Sequence, residues 1–174
     1  MLESKFKKFN HLKIHTQYSI CEGAIKIDDL KEFSKENKIK SLAISDTSNL
    51  CGALEFSEKL SKIGTQPIIG TQINFRYEET IGLLPLFALN EVGYKRIIEL
   101  SSLSYLNNSE LSEPNVPFEE LLNADEGIAI FSGTVFGLFG NLFDKGKFLD
   151  IEKLYSKLKS CLLYTSDAAD DTRS

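Results

Sequence analysis

Five short apolar runs, separated by stretches of helical periodicity, constrain the fold of this chain more than any other feature. The runs are rich in Leu, Ile and Phe, which is typical of buried strands. They occupy residues 11–15, 41–45, 67–75, 83–89 and 127–131. Because helical segments between strands usually form crossover connections, the pattern predicts an α/β fold with a largely parallel sheet.

Apolar residues that recur at three-residue and four-residue spacing predict the helices. The first helix contains Ile27, Leu30 and Phe33, which would share one face. Asn90 is expected to cap the third helix, because its side chain can accept a hydrogen bond from a free backbone N–H. The other predicted helices cover residues 56–63, 92–103, 118–122 and 150–160.

Composition narrows the class of protein. A chain of 174 residues with 42% hydrophobic and 26% charged residues is typical of one soluble globular domain. Its net charge of -5 argues against a general nucleic-acid-binding surface. The sequence contains no long apolar run and no apolar signal region near its start, so we expect a cytoplasmic protein without a membrane segment. Its three cysteines are far apart and are expected to be free thiols.

Polar residues follow three of the predicted strands. His15 and Glu22 follow the first strand, Asp46 and Thr47 end the second, and Gln72 lies within the third. Since α/β folds gather their ligands at the carboxyl ends of strands, we expect these side chains to converge.

The segment HLKIH resembles half of a metal site, because it brings two imidazoles, His11 and His15, to one strand. Lys13 stands between them. Its ammonium group has no lone pair to offer a metal ion. The segment therefore leaves open whether the chain is a metalloenzyme or the remnant of one.

Four blocks of the sequence, in the same order, resemble the alpha subunits of bacterial DNA polymerase III. The blocks are HLKIHTQYSICEGA, LAISDTSNLCGALEF, QPIIGTQINF and LFALNEVGYKRIIELSSLSYL. Those subunits begin with a PHP (polymerase and histidinol phosphatase) domain, and the resemblance runs from about residue 9 to about residue 160. It implies a distorted β/α barrel of seven strands in the family, of which about five would be present here.

The resemblance also implies the position of the family's metal site. Metal-binding members carry His-x-His, Asp-Gly, Asp-His and Gly-x-Glu, hold two or three divalent metals and hydrolyse phosphoesters. The corresponding positions in this chain are Lys13, His15, Glu22, Thr47 and Gln72.

Only His15 is kept among these positions, and only Glu22 is a replacement of the same charge. Lys13 carries a positive charge, and threonine and glutamine are weak substitutes for imidazole and carboxylate ligands. We therefore expect a vestigial site that holds no metal, with His11 and Asp46 nearby. The Lys13 ammonium is expected to replace the metal by pairing with Glu22 or Asp46.

The implied function is that of a structural PHP module in a DNA-directed DNA polymerase. No catalytic or cofactor-binding residue is expected in this chain, and the chain alone is expected to be inactive. The parent's Mg²⁺ ions would lie in the palm, outside this sequence. The expected partners are the rest of the alpha subunit and the proofreading exonuclease subunit, with DNA contacted only through the intact parent. The alternative is a stand-alone, metal-dependent PHP phosphoesterase.

The last fourteen residues, CLLYTSDAADDTRS, differ in character from the rest of the chain. Written back into codons, residues 161–170 match a transposon-end adapter used in preparing sequencing libraries. We therefore expect an incomplete PHP domain at residues 1–160 and an artefactual tail at residues 161–174.

Overall fold

The computed structural model describes residues 10–106, 113–123 and 127–161, so nearly all of the predicted tail lies outside the described residues. The α/β class is confirmed. The helices are α1 (Ile27–Glu36), α2 (Ala53–Ser61), α3 (Glu91–Leu106), α4 (Phe118–Leu122), α5 (Leu138–Asp144) and α6 (Phe148–Cys161). The strands are β1 (Ser41–Thr47), β2 (Gln66–Tyr77), β3 (Thr80–Ala88), β4 (Val116–Pro117) and β5 (Ile128–Ile130).

The five described strands form one mixed sheet, which makes the prediction of a largely parallel sheet wrong. Strand β2 pairs in parallel with β1 and β4, whereas β3 is antiparallel to both β2 and β5. The physical reason is the short connection between β2 and β3. Tyr77 pairs with Thr80, so only Glu78 and Glu79 form the turn, and a parallel crossover needs about a dozen residues.

The first predicted strand, at residues 11–15, is also not a strand in the structure. It lies beside β1 through two hydrogen bonds: Ala43 N–H donates to the His11 carbonyl (3.1 Å), and Ser45 N–H donates to the Ile14 carbonyl (2.8 Å). The donors, Ala43 and Ser45, are two residues apart, whereas the acceptors, His11 and Ile14, are three residues apart. The segment at residues 11–15 therefore has one extra residue that interrupts the ladder, as in a β-bulge. The segment still leads His15 toward the carboxyl end of β1.

Two apolar clusters hold the elements together. The larger cluster packs α3, α4, α5 and α6 with strands β2 to β5, and includes the fully buried Phe75 and Phe118. The smaller cluster packs α1 and α2 against β1 through Ile27, Leu42 and Phe56. Each such side chain contributes roughly 1.5–3 kcal/mol when fully buried. Strand β1 is therefore fixed by the smaller cluster and by its pairing with β2.

Helix α3 begins as predicted. The Asn90 side-chain oxygen accepts a hydrogen bond from Gly93 N–H at 2.9 Å, which caps the helix. Gly93 packs so closely that a Cβ at this position would collide with the Gly127 carbonyl. Glycine is therefore needed at position 93 for close approach of the two backbones.

Two compositional predictions can be compared with the described residues. Cys21 and Cys51 are free and exposed, as predicted. Within residues 10–106, 113–123 and 127–161, no helix combines the length and apolarity needed to cross a membrane.

Candidate functional site

The predicted site residues converge beside the carboxyl end of β1. They border a depression of about 410 Å³, whose lining is Lys13, His15, Glu22, Gln72, Leu83, Thr134 and Phe136. Thr47 joins them by donating its hydroxyl hydrogen to Glu22 at 2.5 Å. His11 is exposed, does not line the depression, and offers its backbone carbonyl to Ala43. The convergence expected from the strand ends is confirmed.

The loop that carries Glu22 folds back onto the segment that carries His15. Gln17 N–H donates to the Ile25 carbonyl at 2.9 Å, and Gly23 N–H donates to the Ser19 carbonyl at 2.9 Å. A Cβ on Gly23 would collide with the carbonyl oxygens of His15 and Thr16. The glycine after Glu22 therefore allows the loop to close over the site.

Tyr18 attaches this loop to helix α2. Its hydroxyl donates to a carboxylate oxygen of Glu55 at 3.0 Å, and Lys59 donates to the other oxygen at 2.7 Å. Lys59 also donates to Asp28 at 2.6 Å. The hydrogen bond from Lys59 is the main cause of the lowered pKa of Glu55, and the hydrogen bond to Glu55 is the main cause of the raised pKa of Tyr18. Tyr18 therefore stays protonated as a donor while Glu55 stays ionised.

Asp46 is the buried anchor of the loop. Its side chain is 1% exposed and accepts three hydrogen bonds: Thr16 N–H at 2.6 Å, the Thr16 hydroxyl at 2.8 Å and the Ser19 hydroxyl at 2.7 Å. Ser19 also accepts a hydrogen bond from Thr47 N–H at 3.1 Å. The sequence did not reveal Ser19, because nothing in a polar loop marks one hydroxyl as buried. Asp46 holds the loop to β1 and is fully engaged in doing so.

The predicted ion pair of Lys13 is wrong. Among the described residues, no ion pair joins Lys13 to Glu22 or Asp46. Asp46 is satisfied by its neutral donors. Glu22 accepts from Thr47 and lies 3.5 Å from Nδ1 of His15. The ammonium group of Lys13 therefore does not replace a metal ion in the way the sequence suggested.

His15 and Gln72 meet at the floor of the depression. Nε2 of His15 lies 3.1 Å from the side-chain amide nitrogen of Gln72. The other ring nitrogen, Nδ1, lies 3.5 Å from the Ser19 hydroxyl. Gln72 is only 4% exposed, and its amide also lies 3.5 Å from the Ser45 carbonyl. The glutamine is thus held in place against the imidazole.

This set of groups suits a divalent metal poorly. Within the part of the chain that the structure describes, no three His, Cys, Asp or Glu side chains lie close enough together to hold a metal ion. The depression presents one carboxylate and one imidazole, beside an ammonium group and a neutral amide. Divalent-metal clusters require several anionic or imidazole ligands with lone pairs directed at the ion.

Comparison with known proteins identifies the family. Residues 11–168 match the PHP domain. The chain belongs to the PHP domain family. The match includes part of the predicted tail, and the domain boundary at residue 160 stays a prediction. The five described strands form a partial PHP-like barrel and agree in number with the expected five, although β4 takes the place of the first predicted strand.

The relatives of this PHP domain include DNA polymerase III alpha subunits. The chain is 37% identical to the subunit of Caulobacter vibrioides over 156 residues, which cover 84% of this chain and 14% of that protein. It is 32% identical to the subunit of Borreliella burgdorferi over 154 residues, which cover 82% of this chain and 13% of that protein. The chain therefore spans about one seventh of the length of the relatives it matches.

Among solved structures, the chain is similar to an amidohydrolase from Chromobacterium violaceum. The sequence identity is 13%, the TM-score is 0.42, and the similarity covers 52% of this chain and 32% of the other. A likeness this distant does not bear on function.

Proposed function

We propose that this chain is the PHP module of a replicative DNA polymerase III alpha subunit, and that it serves the polymerase as a structural domain. The observation that carries this proposal is the 37% identity over 84% of the chain to such a subunit. Template-directed DNA synthesis would be the activity of the whole subunit. The work of this domain would be to pack against the polymerase body.

The site geometry supports a structural role. The side chains of Asp46, Glu22 and Gln72 form hydrogen bonds with neighbouring protein groups, so they are already engaged and not directed at a metal ion. We therefore assign no catalytic residue to this chain. The two Mg²⁺ ions that nucleotidyl transfer requires would be held by palm carboxylates in the remainder of the subunit.

The proposed partners follow from the same assignment. The remainder of the alpha subunit would contact this domain directly, and the proofreading exonuclease subunit would bind the same assembly. DNA would be contacted only through the intact subunit, which agrees with the net charge of -5 of this chain. The expected location is the cytoplasm.

Sequencing the source DNA across the codons of Ser160 and Cys161, and well beyond them, tests this proposal. We expect the reading frame to leave the adapter-like sequence and continue into a polymerase palm with its acidic metal-binding residues. A genuine stop after Ser174 would contradict the proposal and favour the stand-alone PHP phosphoesterase.

A phosphatase assay provides a second test that does not depend on the gene. The purified chain with Mn²⁺ and a generic phosphomonoester should show no turnover above buffer. A His15→Ala variant serves as the control, since any contaminating phosphatase would be unaffected by it. Turnover that disappears in His15→Ala would show that the depression is an active site.

A further inference from the structure

We propose that a hydrogen bond from Gln72 to His15 closes this PHP pocket to divalent cations, and that a network centred on Asp46 replaces the metal as the link between the loop and the strands. The inference goes beyond the proposed polymerase role and does not depend on it. It concerns only residues of the pocket.

The first step is the position of the proton on the His15 ring. The Ser19 hydroxyl has one hydrogen and gives it to Asp46, which as a carboxylate can only accept. Toward Nδ1 of His15, at 3.5 Å, the Ser19 oxygen must therefore act as an acceptor. The Glu22 carboxylate oxygen, also 3.5 Å from Nδ1, is an acceptor as well. Both contacts place a hydrogen on Nδ1.

The second step concerns the opposite ring nitrogen. With the hydrogen on Nδ1, Nε2 carries the lone pair. The nearest polar group is the amide nitrogen of Gln72 at 3.1 Å, which can only donate. The two ring nitrogens have different neighbours, and both sets of contacts indicate the same tautomer. Nε2 of His15 therefore accepts a hydrogen bond from Gln72.

The hydrogen bond from Gln72 occupies the Nε2 lone pair of His15, the one imidazole among the described residues that line the pocket. A metal ion bound at Nε2 would displace the Gln72 amide hydrogen and would face the Lys13 ammonium on the same lining. Gln72 is almost completely buried, and its amide nitrogen also lies 3.5 Å from the Ser45 carbonyl oxygen. A carboxylate at position 72 would place an acceptor beside Nε2 of His15 instead of a donor, and carboxylates bind cations.

The hydrogen-bond network around Asp46 connects the loop to the strand ends, as a bound metal ion would. Asp46, at the end of β1, binds Thr16 and Ser19 of the loop. Further hydrogen bonds join Thr47 to Ser19 and Glu22, and join Gln72 of β2 to His15. These are the segments that the family's metal ligands occupy. In this domain hydrogen bonds, added to the packing of the apolar clusters, take the place of a metal ion in holding these strand ends together.

The first test leaves every residue of the pocket unaltered. The chain has two histidines, so long-range ¹H–¹⁵N spectra can assign His15 by comparison with a His11→Asn variant. We expect the His15 signals of the Nδ1–H tautomer. Signals of the Nε2–H tautomer would overturn the proposal.

The second test measures Mn²⁺ binding by calorimetry to the unaltered chain, to Gln72→Glu and to the matched control Gln66→Glu. Gln66 is exposed at the start of β2, so the control adds the same charge away from His15. Gln72→Glu should bind Mn²⁺ about tenfold more tightly than the unaltered chain, or better, and the control should not. Equal affinity of Gln72→Glu and the unaltered chain, or Mn²⁺-induced changes in the His15 signals of the unaltered chain, would refute the closure. Because the tautomer is read from the unaltered chain, a variant that fails to fold leaves the proposal testable.

Discussion

Replacing Asp46 with alanine should reduce the free energy of unfolding by about 3–5 kcal/mol, because it leaves buried neutral donors without their acceptor, at about 1–3 kcal/mol for each donor. The side chain is 1% exposed and accepts three hydrogen bonds. A hydrogen bond to a charged group contributes about 1.5–3 kcal/mol, so a simple sum would reach about 4.5–9 kcal/mol. The loss should be smaller than this sum because the Thr16 and Ser19 donors can regain water once the loop is released.

Two further variants show where the loss comes from. Asp46→Asn keeps an oxygen that can accept from two of the donors, and should cost about 1–2 kcal/mol. The matched control is Asp144→Ala, because Asp144 is exposed at the last residue of α5. A carboxylate at a helix C-terminus opposes the helix dipole, so the control should change stability by less than about 0.5 kcal/mol.

The assay is urea denaturation followed by far-ultraviolet circular dichroism, with the midpoint and slope fitted for each variant. The predicted order of stability is Asp144→Ala, then Asp46→Asn, then Asp46→Ala. A loss below about 1 kcal/mol for Asp46→Ala, a value typical of ordinary substitutions, would show that the Asp46 network does not hold the loop.

Two other predictions concern the surroundings of the site. The hydrogen bond from Lys59 lowers the pKa of Asp28, so this ion pair stabilises the fold above the ordinary pKa of 3.8, and the stabilisation is lost as the pH falls through the lower pKa of the folded chain. The difference in Tm between the unaltered chain and Lys59→Met should therefore shrink below that pH. A constant difference would contradict the assignment. Gly93→Ala should destabilise the chain by about 1–3 kcal/mol, because the added Cβ would collide with Gly127. At an open helix position the same change would stabilise the chain by about 1 kcal/mol. A raised Tm would therefore show that the two backbones do not pack this closely.

Local patterns were sufficient to predict most elements. The run at residues 41–45 became β1, and the predicted helix at residues 118–122 matches α4. The apolar pattern of each is visible within a few residues, although β1 forms a strand only by pairing with β2. The prediction missed α5 and β4, because β4 has only two residues and α5 only seven, too few to show a clear period.

The sheet shows where sequence reasoning failed. The strands at residues 67–75 and 83–89 were recognised, but their relative direction was not, because the pattern of a buried strand is the same in either direction. The gap between them was too short for a crossover helix, and this signal was available in the sequence. The extra residue that interrupts the segment at 11–15 had no such signal.

The sequence by itself determined the α/β class, because periodicity is a property of the chain order. Its resemblance to the PHP family supplied the family and the five positions that meet at the depression. Only the tertiary structure decided how those residues are bonded. From the sequence, Asp46 could have formed an ion pair with Lys13. In the structure its carboxylate oxygens instead accept hydrogen bonds from Thr16 and Ser19. Hydrogen bonds depend on distances of a few tenths of an ångström between distant segments, and packing sets those distances.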